Sequence, residues 1–231
     1  MSLWTPPPGD SPRRLADLRV SYDAGVFVEE DLLSTPLEQF RAWFDDAVGV
    51  GLPEPNAMIV ATAAVDGQPS ARTVLLKDVD PRGFVFYTNY GSRKSAELTA
   101  NPGASCVFPW FAMHRQVVVV GRAERIPRDE AAEYFASRPH GSRLGAWSSR
   151  QSTALDGREA LDRTYADLQE QYPEGSDVPL PEFWGGWLVR PESVEFWQGR
   201  ESRLHDRLRF RGDVGAPLDD SAAWTVERLS P

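Results

Sequence analysis

The chain has 231 residues, with 25 Lys plus Arg against 34 Asp plus Glu and a net charge of −9, a balance that argues against a sequence-independent nucleic-acid binder, whose affinity comes from cations neutralising phosphates. Hydrophobic residues make up 41% and charged residues 26%, which excludes a disordered chain and fits a globular protein able to bury a core. The single cysteine, Cys106, has no partner for an internal disulfide and reads as a small core residue of a reducing compartment. No apolar run approaches the roughly 18 to 20 residues of a membrane span, and the N-terminus lacks the charged-then-apolar order of a signal peptide. The expected location is cytoplasmic, with no membrane or nucleic-acid partner.

The charge is unevenly spread. Residues 23–54 carry eight acids and one base, and residues 154–182 carry eight acids and two bases, which leaves the rest of the chain net +4. Its only two lysines, Lys77 and Lys94, lie between those blocks.

In chain order, residues 1–34 read as a flexible, Pro-rich arm and residues 35–231 as one domain. Thr35 as N-cap and Pro36 at the first helical position open a helix ending near Gly49 or Gly51. AMIVATAAV and PSARTVLLKDV, joined by Asp66-Gly67, read as a hairpin, and GFVFYTN as the next strand. Ser92 begins a short helix closed by Asn101-Pro102. ASCVFPWF and RQVVVVGRAERI are strands, and the four valines of the second predict burial on both faces. A helix runs from Pro127 to about Ser137 and another from Asp156 to about Gln171. Strands WGGWLVR, SVEFWQG and RLHDRLRFRG follow, with a short last one near AWTVERL. Seven or eight strands in neighbouring runs with about four helices predict an α+β fold, mainly β: an antiparallel barrel with helices packed outside.

Histidines at 114, 140 and 205 are too widely spaced for a HExxH metal site, and no metal is expected. Any enzyme here would lean on a cofactor. Arg93 and Lys94 begin a helix, where cations oppose the dipole and a bound anion is the natural compensation. Strand alternation sets Arg72 and Lys77 on opposite faces unless a bulge intervenes. Tyr134, Arg138 and Ser142 can converge on one phosphate, or be a half-buried tyrosine and a surface arginine near a helix end. A strand carrying Arg203, His205 and Arg207 on one face suits either an anionic ligand or a solvated edge. Of the eight tryptophans, Trp197 is the one expected to touch a ring.

RTVLLK, FYTNYGSRK, RQVVVVG, YFASRPHGSRLGAW, SSRQS, VPLPEFWGG and above all EFWQGRESRLHDR resemble, in order from about residue 35 to the C-terminus, the pyridoxine (pyridoxamine) 5′-phosphate oxidases. The resemblance implies a split β-barrel homodimer with FMN at the subunit interface. The implied reaction takes pyridoxamine or pyridoxine 5′-phosphate to pyridoxal 5′-phosphate, with dioxygen becoming hydrogen peroxide. By motif, FMN contacts fall on Arg72, Thr73, Val74, Leu75, Leu76 and Lys77, on Tyr87, Thr88, Arg93 and Lys94, and on Gln116, Gln151, Ser152, Trp197 and Arg207. Substrate contacts fall on Lys77, Tyr134, Arg138, Ser142, Arg203 and His205, of which Arg203 and His205 are the catalytic candidates. LRVSY corresponds loosely to an arm that closes over the substrate, and offers Arg19 and Tyr22. The rival readings are another split-barrel flavin or deazaflavin oxidoreductase, and a non-catalytic binder of FMN or pyridoxal phosphate.

Overall fold

A computed structural model describes Tyr22 and residues 25–231. Thr35 caps helix α1 (Pro36–Gly49), its hydroxyl accepting from the Glu38 amide at 3.2 Å. Leu37, Phe40, Trp43 and Ala47 form the buried face of α1, the three-and-four spacing of a helix laid on a core. Phe40 packs edge-on against Phe84 and Phe108 at 5.0 Å between ring centroids.

The strands are β1 (Ala57–Ala63), β2 (Pro69–Leu75), β3 (Asp78–Asp80), β4 (Gly83–Asn89), β5 (Gly103–Trp110), β6 (Arg115–Arg125), β7 (Trp184–Gln198), β8 (Asp206–Arg211) and β9 (Thr225–Arg228). The remaining helices are α2 (Arg93–Ala100), α3 (Arg128–Ser137), α4 (His140–Ser148) and α5 (Arg158–Gln171). The strands form one sheet in the order β2-β1-β5-β6-β7-β4-β3, with β8 on β7 and β9 on β8, every pairing antiparallel. The chain itself joins the two ends of that order. The Leu76 amide still bonds to Asn56 beside β1, whereas the Lys77 amide bonds to Val85 of β4 at 2.8 Å. RTVLLK thus spans the seam where the sheet curls back on itself, and the side chains of Arg72 and Lys77 serve different neighbourhoods.

Three expectations are corrected. The valine run alternates: Val117 and Val119 are fully buried, while Val118 is half-buried and Val120 is 37% exposed, the pattern of a strand with one face on the core. WGGWLVR and SVEFWQG are one strand, β7, which runs straight through Pro191. Proline is tolerated because it faces a bulge, a register shift between Val120 and Gly121, where no ladder donor is required. There, too, β7 changes its other neighbour, from β4 beside residues 184–189 to β8 beside residues 193–198. Helix α4 was not expected from the sequence, since Gly141 and Gly145 weaken its helical pattern.

Gly121 is required at that crossing, since a Cβ there would stand 2.0 Å from the Arg190 carbonyl oxygen. Gly121→Ala should lower stability by about 1–3 kcal/mol, read as a lower urea midpoint with an unchanged slope. An unchanged midpoint would mean that β6 and β7 can part here without cost.

Candidate functional site

A cavity of about 450 Å³ opens where β4 and the start of β7 meet helices α2, α3 and α4. Its walls include Lys77, Lys94 and Arg138 and, among the described residues, not one carboxylate. Lys94, in the first turn of α2, is 7% exposed. Its Nζ donates to Gln151 Oε1 at 2.8 Å and Thr88 Oγ1 at 3.0 Å, and among the described residues it has no acidic partner within salt-bridge reach. Burial first, and the Arg72 charge second, push its pKa down to about 8.

Two neighbouring arginines, Arg72 and Arg93, already have an internal partner. Glu97, one turn beyond Arg93, accepts from Arg93 Nε at 2.8 Å and lies 3.5 Å from Arg72 Nη2. Burial would raise its pKa, but hydrogen bonds from Ser70, Thr62 and Arg93 outweigh that and hold it near 2. The expectation that Arg72, Arg93 and Lys94 together await an anion is therefore narrowed, because one internal carboxylate engages both arginines, and of the three only Lys94 has no acidic partner among the described residues.

Arg138 lies just past the end of α3. Its guanidinium sits over Trp184, 4.8 Å from the ring centroid, and Nη1 is buried with no hydrogen-bond partner. Burial lowers its pKa, against the opposing pull of Tyr134. Tyr134 stacks on Tyr87 at 3.9 Å, and Tyr87 stacks on Trp184 at 5.4 Å. Burial, followed by the nearby Glu130 and Tyr134, raises the Tyr87 phenol to about 12, so it stays protonated. Ser142 joins the same wall from the first turn of α4.

The remaining candidates gather elsewhere. Trp197 packs against His205 at 4.5 Å, and the Tyr22 ring lies edge-on to both. Gln116 is paired with Trp197 across β6 and β7 and lines a smaller cavity of about 280 Å³ with Tyr22, His114 and Trp197. Arg203, His205 and Arg207 do not share a strand face. Strand β8 starts only at Asp206, and Ser202 and Arg203 hold left-handed φ of 56° and 63° in a tight turn. His205 Nδ1 accepts the Arg200 amide at 3.1 Å, which leaves the proton of the neutral ring on Nε2. Burial first, and Arg203 second, lower its pKa. Arg207 is engaged by Glu195 through Nε and Nη2 at 2.8 and 3.1 Å.

Trp184 in the first cavity and Trp197 in the second mark the two ends of β7, thirteen residues apart, ~40 Å along a straight strand. The two cavities share no lining residue. Thr73, Val74, Leu75, Lys77, Tyr87, Thr88, Lys94, Tyr134, Arg138, Ser142 and Gln151 line the first. Leu76 is buried in the core, and Arg93 and Ser152 lie outside both linings. Arg19 is outside the described residues. Sequence reasoning missed Trp184, Asn89, Ser149 and His114. Only the strand register, which sets Trp184 opposite Asn89, reveals the first two as neighbours.

A curled antiparallel sheet, helices outside it and a cationic cavity without carboxylates define a split-barrel protein receptive to anionic ligands. Residues 44–172 match the family described as pyridoxamine 5′-phosphate oxidase, and residues 184–231 match the pyridoxine 5′-phosphate oxidase C-terminal dimerisation region. The chain belongs to the pyridoxine/pyridoxamine 5′-phosphate oxidase family. Curated relatives carrying that name include one from Frankia casuarinae, 58% identical over 93% of this chain and 80% of its own length. Another, from Salinispora arenicola, is 55% identical over 94% and 96%. Among solved structures, PhzG from Burkholderia lata 383, in complex with tetrahydrophenazine-1-carboxylic acid, has a TM-score of 0.80 at 30% identity, covering 90% of this chain and 99% of that one. A pyridoxamine 5′-phosphate oxidase-related, FMN-binding protein from Nostoc punctiforme shares the fold, with a TM-score of 0.65 at 16% identity over 83% and 97%.

The depressed pKa of Lys94 sets the sign of a pH effect. Free lysine titrates near 10.5 and buried Lys94 near 8, so the ligand-free protein gains stability between those values as the cost of burying the ammonium is relieved. Anion binding needs that ammonium. Thermal stabilisation by inorganic phosphate should therefore shrink as pH rises through about 8. Lys94→Met should weaken phosphate binding by on the order of tenfold below that pH. Equal stabilisation at both pH values, or in the variant, would remove Lys94 from the anion site.

Proposed function

We propose that the protein oxidises pyridoxine 5′-phosphate and pyridoxamine 5′-phosphate to pyridoxal 5′-phosphate, with FMN as cofactor and dioxygen as final acceptor. The observation that carries this reading is the cavity wall: among the described residues it has three cations and no carboxylate, with Lys94 buried and Arg138 half-buried, its Nη1 without a hydrogen-bond partner. A dry cation without a counter-charge is costly unless a ligand supplies one. The orphaned Nη1 of Arg138 and the hydroxyl-and-amide cradle around Lys94 Nζ are chemically suited to phosphate monoesters, the group FMN and the substrate have in common.

On this reading Lys94, Thr88 and Gln151 would hold the FMN phosphate, with Arg72 and Arg93 set behind them by Glu97. Lys77, Tyr134, Arg138 and Ser142 would hold the substrate phosphate. When bound, FMN supplies the two-electron acceptor for the substrate's 4′ carbon and returns the electrons to dioxygen. For the alcohol the balance is substrate plus dioxygen giving aldehyde plus hydrogen peroxide; for the amine, water enters and ammonia leaves.

Arg203 and His205 would grip the pyridine ring, with Trp197, Gln116 and Arg207 beside the cofactor. Because these residues sit at the far end of β7 from the phosphate-binding wall, a complete site takes one end from each of two chains. The match of residues 184–231 to a dimerisation region supports a homodimer. His205 offers a hydrogen-bond donor at Nε2, and orientation by these groups is where the protein lowers the barrier. Residues 35–231 act as one FMN-binding domain, to whose core Phe27 also belongs, and the segment before Phe27 would offer Arg19 and Tyr22 to the substrate. Among the described residues no helix is long and apolar enough to cross a membrane.

Purified protein loaded with FMN and given pyridoxine 5′-phosphate under air should release pyridoxal phosphate and peroxide. Bound flavin with no pyridoxal phosphate formed would favour a different split-barrel oxidoreductase or a simple binder. Arg203→Leu should cut turnover by roughly 100-fold or more with flavin content unchanged. Arg138→Ala should raise KM by about tenfold or more, the effect of a lost charge-assisted contact to phosphate. An unchanged KM would take Arg138 out of the phosphate grip.

A further inference from the structure

Asp206, the residue after His205, is 5% exposed and has no part in the reaction as derived above. Three donors from three distant parts of the chain converge on its carboxylate. The Phe27 amide reaches Oδ2 at 3.1 Å, Arg200 Nη1 reaches Oδ2 at 3.3 Å, and Arg228 Nη1 reaches Oδ1 at 2.9 Å. Arg228 then turns to Glu29, with Nε at 2.7 Å and Nη2 at 2.6 Å from its two oxygens. Phe27 is itself seated in the core against Trp43, 4.9 Å between centroids.

One buried carboxylate therefore ties together the segment that follows Tyr22, the loop that carries Arg203 and His205, and the last strand. The same loop residue that bonds Asp206 through its guanidinium, Arg200, donates its amide to His205 Nδ1. Tyr22, five residues before Phe27, lies with its ring 5.7 Å from that of His205. Stabilising a charge in so dry a place needs all its donors, so loosening the N-terminal segment weakens the hold on the loop, and the reverse.

We propose that Asp206 is a positioning residue: with Arg228 and Glu29 it clamps the N-terminal segment beside His205, so that docking of Tyr22 and the set of the His205 ring are one event. This rests on the oxidase reading for its kinetic consequence, while the clamp itself does not.

The test uses full-length protein carrying FMN and two arms. In the first, hydrogen exchange at the Phe27 amide should be slow in the wild type and at least about tenfold faster in Asp206→Asn and in Arg228→Gln, since a charge-assisted bond to a buried acceptor is lost. In the second, Asp206→Asn and Tyr22→Ala should each raise KM for pyridoxine 5′-phosphate by about tenfold with flavin content unchanged, and the double variant should be no worse than the poorer single. Unchanged Phe27 exchange overturns the clamp. Faster exchange with wild-type KM, or losses that multiply in the double variant, overturns the positioning role. A wild type that exchanges slowly at Phe27 but turns over no substrate sinks the oxidase reading and leaves the clamp standing. Where Asp206→Asn proves unstable, Arg228→Gln, at an exposed position of the outer strand β9, carries both arms.

Discussion

Strand β7 is the constraint from which the rest of the molecule follows. It pairs with β6 along most of its length, and on the other edge it takes β4 and then β8. A strand shared in this way curls the sheet around the aromatic core of Phe40, Phe84 and Phe108 and holds two groups of polar residues apart at its ends. Pro191 and Gly121 make the exchange of neighbours possible. One lacks the donor that a regular ladder would demand, and the other lacks the side chain that would strike the crossing backbone.

Electrostatics then distinguishes the two ends. At the first, burial removes water from Lys94 and Arg138 without supplying a carboxylate, and a desolvated cation is a demand for an anion from outside. At the second, carboxylates are plentiful and satisfied: Asp206 by Arg200 and Arg228, Glu195 by Arg207. The same residue types thus do opposite work, preparing one end to receive a ligand and locking the other into shape. Glu97 shows the principle in miniature. By engaging Arg72 and Arg93 from within, it leaves Lys94 as the one cation of that cluster without an acidic partner among the described residues.

Much of the fold was legible in the sequence, because local chemistry and tertiary context agree there. Thr35-Pro36 starts a helix, Asp66-Gly67 turns a hairpin and Asn101 closes α2, as those residues do in most settings. The motifs also picked out, one by one, most of the residues that line the cationic cavity. What the sequence hid was register and partnership. The outward valines of β6, the continuity of β7 through Pro191 and the left-handed turn at Ser202 each depend on which strand lies alongside. So does Trp184, which joins Tyr87 only because β4 and β7 are paired. Arg93 and Glu97 stand four apart, the spacing of an ion pair on a helix, but nothing local shows that the same carboxylate also reaches Arg72.

The two tryptophans at the ends of β7 give the molecule a pair of built-in optical probes. Trp184 shares the wall of the cationic cavity and Trp197 sits beside His205, so each emits from a different end of β7, and a yellow isoalloxazine in either place would quench its near neighbour by energy transfer. Because the chain holds eight tryptophans, each probe is read as the difference between the wild type and the variant with that one tryptophan replaced by phenylalanine, and the two differences would follow the filling of each place in time without a label.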